Sequence, residues 1–137
     1  MSLPKLLSRH QAIALEFIRF GSVGSVGYLV DTAVVYALKG FIGPGPAGMP
    51  SFIVAATVTW ALNRAWTWRG RSTGSRLRQW AHFLAVNSPG LLLNRTTYEV
   101  LVYFVPLCAI HPFLATAAGT AAGMFVNFGL SRQLVFR

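Results

Sequence analysis

The hydrophobic positions of this chain gather into four long runs, at about 17–41, 49–68, 80–105 and 112–135. Short polar or Pro/Gly-rich stretches separate them. Each run is close to the ~20 residues that a helix needs to cross a ~30 Å hydrocarbon core. In lipid a helix satisfies its own backbone groups, so each run predicts a membrane-spanning helix. Residues 1–16, with Lys5, Arg9, His10 and Glu16, are too polar for a span and predict a short cytoplasmic N-terminal segment at the interface. A cleaved signal peptide is not expected, because the first apolar run is full length and no small-residue cleavage signal follows a short core.

The pattern repeats. At an offset of 63, Phe20 falls on Phe83, Val23 on Val86, Ser25 on Ser88, Gly27 on Gly90 and Asp31 on Asn94. At an offset of 68, Val58 falls on Val126, Leu62 on Leu130, Arg64 on Arg132 and Arg69 on Arg137; Trp60 and Trp68 meet Phe128 and Phe136. The Arg pairs, the Gly pair and Asp31/Asn94 carry more weight than matches among Leu and Val. The expected fold is therefore all-α and polytopic: four transmembrane helices as two helical hairpins, repeat 1 at about 17–69 and repeat 2 at about 80–137. Each hairpin returns to its starting side, so the repeats are parallel.

Composition strengthens the membrane reading. The chain is 54% hydrophobic and 11% charged, about half the ~25% charge of an ordinary soluble domain. Twelve bases oppose three acids, Glu16, Asp31 and Glu99, for a net charge of +9. A nucleic-acid module would not need this hydrophobic length, so no nucleic acid is expected. The bases also set orientation. Lys5, Arg9 and Arg19 precede the first span, and Arg69, Arg71, Arg76 and Arg78 lie between the second and third. Arg132 and Arg137 end the fourth, while the opposite side has Lys39 and His111. The positive-inside rule puts both termini and the central loop in the cytoplasm, with Trp66, Trp68 and Trp80 at the interface. One cysteine, Cys108, excludes an internal disulfide framework and a multi-Cys metal site.

Several polar groups fall inside the spans. Asp31 lies past the middle of the first. Arg95 and Glu99 lie deep in the third, where each charge costs on the order of 3 kcal/mol. Arg95 and Glu99, four residues apart, share a helix face and are placed to pair. Asp31 falls at the position of Asn94, beside Arg95, which suggests a bridge between hairpins. Such a cluster either only holds the hairpins together or binds a ligand. Asn87, Ser88, Pro89 and Gly90 predict a kinked or broken third helix. Gly119-x-x-x-Gly123 matches a close-packing motif, within the chain or in a dimer. No paired carboxylates, His cluster, P-loop or nucleophile with a base is present, so the chain does not read as an enzyme, and no cofactor or metal is expected.

The segments IRFGSVGSVGYLVDTAVVYAL, WALNRAWTWR and VNFGLSRQLVFR resemble the GtrA-like family over about residues 17–137. Ser131 departs from the first repeat's Asn63. The resemblance implies a small four-span protein of the bacterial cytoplasmic membrane. It would translocate, or flip, a polyprenyl-phosphate-linked sugar for cell-envelope polysaccharide synthesis or glycosylation. Such a substrate needs cationic donors for phosphate, and Arg is suited to it through its planar fork. Arg19, Arg64 and Arg132 are the candidates at the cytoplasmic interface, with Asn63 and Asn127 extending the patch inward. Asp31, Asn94 and Arg95 complete the candidate substrate-binding set. The alternative role for the Arg residues is anchoring on anionic membrane lipids, favoured for Arg69, Arg71, Arg76 and Arg78. Four spans enclose little volume, so a homo-oligomer, a dimer or larger, is expected. The competing function is a non-catalytic membrane anchor or activating partner of a polyprenyl-phosphate glycosyltransferase. A multidrug-type exporter fits less well, because Asp31 is misplaced and the charge bias fixes a single orientation.

Overall fold

The computed structural model describes residues 3–71 and 74–137, without the side chains of residues 3–6, 44, 45, 112 and 113. Lys5 is therefore outside the described side chains. The described residues are helical almost throughout, with no strand. They form two compact units, Met1–Gly74 and Ser75–Arg137.

In unit 1, α1 (Leu3–Ile42) packs against α2 (Pro44–Leu62). The polar N-terminal residues and the first apolar run form one continuous helix. No Gly or Pro interrupts residues 5–20, so helix runs unbroken through Glu16 into the apolar stretch. At 40 residues, α1 is about 60 Å long, twice a hydrocarbon core. It stops at Gly43, whose φ of 85° is left-handed and suits glycine. Gly43 N–H returns to Lys39 O at 3.0 Å. α2 starts at once at Pro44, earlier than the apolar pattern predicts. Pro44 and Pro46 sit in the first turn, where a missing N–H breaks no intrahelical bond.

Unit 2 has α3 (Arg76–Phe104), a single turn α4 (Pro106–Ile110) and α5 (Pro112–Leu130), with α3 packed on α5. Pro89 does not break α3. Only the bond to Ala85 O is lost, while Asn87 Nδ2 and Ser88 Oγ donate to Phe83 O and Leu84 O at 2.8 and 3.0 Å. The small-residue motif of α5 is used inside the unit. A Cβ on Gly119 would come within 2.5 Å of Asn94 O, and one on Gly123 within 2.6 Å of Gly90 O.

α2 and α5 both end in a π turn, at Asn63–Thr67 and Ser131–Val135. Trp68 N–H bonds to Asn63 O, and Phe136 N–H to Ser131 O, each at 2.9 Å. The widened turn swings an aromatic inward. Trp68 is 1% exposed and meets Phe20 at 5.5 Å between ring centroids, and Phe136 is 0% exposed and meets Phe83 at 6.0 Å.

Among the described residues, one helix, over Leu7–Ile42, is long and apolar enough to cross a membrane. The apolar run of α3 is interrupted by Asn87, Ser88, Asn94, Arg95, Thr96, Thr97 and Glu99.

Candidate functional site

The chemistry of unit 1 concentrates where the π turn meets the first half of α1. Glu16, on the inner face of α1, is buried. Its carboxylate accepts from Trp68 Nε1 at 3.2 Å and pairs with Arg71 at 2.5 Å. One acid thus ties α1 to the chain just beyond α2. One turn later Phe20 supports the Trp68 ring. Asn63 is buried, and its Oδ1 accepts from Thr67 Oγ1 at 2.7 Å. Its side-chain oxygen is committed within the turn.

Two guanidiniums at this end lie over indoles. Arg19 is 5.8 Å from the Trp66 centroid, and Arg64 is 6.0 Å from that of Trp60. Such contacts hold a cation through the ring quadrupole and leave its charge intact. Arg69 is exposed beyond them.

The same positions in unit 2 carry different groups. Gln79 stands where Glu16 does, is buried too, and donates to Val135 O at 3.4 Å. His82 stands at the place of Arg19, Phe128 at that of Trp60, and Leu134 at that of Trp66. Arg132 is half-buried. Farther inward a polar seam runs between α3 and α5. Asn87 Nδ2 reaches Ser131 Oγ at 3.4 Å, and Asn94 Nδ2 reaches Thr120 Oγ1 at 3.5 Å. Asn127 packs onto Gly90, and its Oδ1 is buried with no hydrogen-bond partner.

Asp31 lies half-buried on α1 of unit 1, while Arg95 and Glu99 are exposed on α3 of unit 2. No ion pair joins Arg95 to Glu99 among the described residues. With Arg on the N-terminal side, the order is the weaker one for a pair at this spacing. Arg76 and Arg78, at the start of α3, are exposed. No group of three His, Cys, Asp or Glu side chains among the described residues is placed to hold a metal.

Sequence reasoning missed Glu16 and Gln79. The available signal was their offset of 63 residues, with a polar residue one turn before each of the matched Phe20 and Phe83.

Each unit therefore ends in a cation-bearing, aromatic-backed π turn that closes onto the helix it packs against. A comparison with curated proteins finds no match. The family model described as GtrA/DPMS, transmembrane domain, matches residues 19–137, and the chain belongs to that family.

Proposed function

We propose that this protein flips a polyprenyl-phosphate-linked sugar across the bacterial cytoplasmic membrane for cell-envelope polysaccharide synthesis or glycosylation. The family is a transmembrane one and points to membrane processes that handle polyprenyl-phosphate sugars. The observation that carries the narrower reading is the pair of guanidiniums presented over indoles at the end of unit 1. Indoles favour the headgroup level of a bilayer, so these cations sit where a lipid phosphate lies.

In this reading the chain crosses the bilayer four times as two parallel hairpins, with both termini and the central loop cytoplasmic. Arg19, Arg64 and Arg132 meet the phosphate at the cytoplasmic face. Asp31, Asn94, Arg95 and Asn127 offer polar groups to the sugar along the crossing, and the apolar tail stays in lipid. The barrier lowered is that of carrying a hydroxyl-rich, anionic head through hydrocarbon. Asn63 serves by shaping the turn that carries Arg64. A homodimer or larger assembly supplies the volume that four spans lack. The protein does no covalent chemistry, and anionic membrane lipids surround its basic face.

The test is a proteoliposome assay with a labelled polyprenyl-phosphate sugar. Reconstituted protein is expected to speed exposure of the label to the opposite leaflet. Rates equal to those of empty liposomes, with lipid binding intact, refute the reading.

The exposed Arg69, Arg76 and Arg78 favour a second reading, a non-catalytic anchor for a cytoplasmic glycosyltransferase. There, replacing these three abolishes enzyme recruitment, while Asp31→Asn and Arg95→Gln have little effect. Translocation predicts the reverse.

A further inference from the structure

The two faces of α3 in unit 2 have different fates. One face, with Gly90 and Asn94, meets α5 so closely that a Cβ on Gly119 or Gly123 would strike it. The opposite face carries Ala81, Ala85, Ser88, Leu92, Arg95 and Glu99, all exposed. Their spacing alternates between four and three residues, which keeps one seam facing a neighbouring parallel helix. Arg95 stands about 22 Å along the helix from Trp80, so in a four-span chain it lies in the outer half of a ~30 Å core. Glu99 is one turn farther. Neither makes an ion pair or a hydrogen bond among the described residues. Ala85, whose carbonyl loses its helical donor to Pro89, lies on the same face.

We propose that two copies of this chain pair through this face of α3, with Arg95 of each copy bridged to Glu99 of the other. The inference rests on the four-span membrane reading and adds to it the surface through which the copies meet. The charge bias gives both copies one orientation, so a two-fold axis along the membrane normal sets the two α3 helices side by side and parallel. Each residue of the seam then faces the same residue of the other copy. Glu99 of the second copy lies one turn, about 5.4 Å, beyond Arg95, within reach of a guanidinium. The face is complementary to itself, because it offers both signs and pairing two copies satisfies both. Unit 1 offers less. It has an acid, Asp31, but no cation between Arg19 and Lys39 on α1 and none on α2, and Lys39 lies over the Tyr36 ring at 3.8 Å. Within one helix the Arg-first order is the weaker one, which leaves both groups open to a partner. A lone charge at this depth is costly, and a carbonyl without its helical donor is tolerated there when protein covers it. Ala81, Ala85 and Ser88 are small enough to let two backbones approach. A guanidinium has five N–H donors, so a bridging carboxylate leaves Arg95 donors for a sugar hydroxyl.

The experiment uses the full chain in proteoliposomes. In a Cys108→Ala background, Leu92→Cys is expected to form a disulfide-linked dimer on mild oxidation. Phe125→Cys, exposed on α5, should stay monomeric. Self-association is then read by energy transfer between two labelled populations. Arg95→Glu puts four acids in the seam and Glu99→Arg four bases, so each should weaken pairing by about tenfold or more. A chain with Arg95→Glu mixed with a chain carrying Glu99→Arg restores both bridges, and this mixed pair should form as well as the original dimer. Should either reversed chain fail to fold, the Leu92→Cys cross-link decides with both charges in place.

Cross-linking at Phe125→Cys in place of Leu92→Cys overturns the assignment of this face. So does a mixed pair no stronger than either reversed chain alone. Rescue of Arg95→Glu by Asp31→Arg in the same chain puts the partner of Arg95 within the chain and also overturns it. The flipping assay separates the two readings. A dimer held by these bridges that does not flip lipid removes the translocase and leaves the interface. Flipping by a chain that stays monomeric removes the interface and leaves the translocase.

Discussion

Replacing Gly123 by Ala tests how tightly α3 and α5 are packed. A Cβ at this position would lie 2.6 Å from Gly90 O, 3.2 Å from Asn94 Cβ and 3.4 Å from Gly90 C. The first contact is with backbone, which cannot rotate aside, so the two helices must part by roughly half an ångström or more. Overpacking of this kind costs about 1–3 kcal/mol. Ala gains up to about 1 kcal/mol over Gly in a helix interior. The net expectation is a loss of about 1–2 kcal/mol. Gly129→Ala is the internal control, because a Cβ on Gly129 of the same helix meets nothing within 4 Å. It should be neutral or slightly stabilising. Gly90→Ala tests the same seam from α3. Its Cβ would overlap the Asn127 side chain, so the cost should fall sharply when Asn127→Ala is added, and the pair should be strongly non-additive. The measurement is reversible unfolding in mixed micelles followed by circular dichroism. A Gly123→Ala protein as stable as Gly129→Ala would refute the close approach of the two helices.

Other outcomes follow from the same contacts. Glu16→Gln keeps an acceptor for Trp68 Nε1 and gives up the charge of the partly exposed pair with Arg71, so it should cost under about 1 kcal/mol. Glu16→Ala removes the acceptor of the buried indole N–H and should cost about 1–3 kcal/mol in the same unfolding assay. A Glu16→Ala protein no less stable than Glu16→Gln would deny the carboxylate its place at the turn. Thr67→Val removes the donor to buried Asn63 Oδ1 and should destabilise unit 1 by a similar amount, read as faster proteolysis within Met1–Gly74. Cysteines placed at Gly43 and Gly74 in a Cys108→Ala background should label from opposite faces of sealed vesicles. Labelling of both from one face would refute the four-span topology.

The apolar runs, the scarcity of charge and the three quoted segments sufficed to predict an all-helical chain and its family. Burying apolar length and satisfying backbone groups are local demands, and they leave a mark on composition and spacing. The placement of polar groups was less legible. Glu16 read as part of a polar N-terminal segment because its partners, Trp68 and Arg71, are 52 and 55 residues away, and no short window can show that. Arg95 and Glu99 had the spacing to pair, but with Arg on the N-terminal side their order is the weaker one and does not enforce it. Asn87, Ser88, Pro89 and Gly90 pointed to a kink or a break, and α3 runs on through Pro89 as one helix, because packing along its length outweighs one lost hydrogen bond. Gly119 and Gly123 advertised a close approach without naming a partner, and only the packed unit selects Asn94 and Gly90. The π turns are a purely tertiary decision. A widened turn gives up ideal hydrogen-bond geometry, and what offsets that cost is the burial of Trp68 against Phe20 and of Phe136 against Phe83, contacts that exist only once each chain end has folded back onto its long helix.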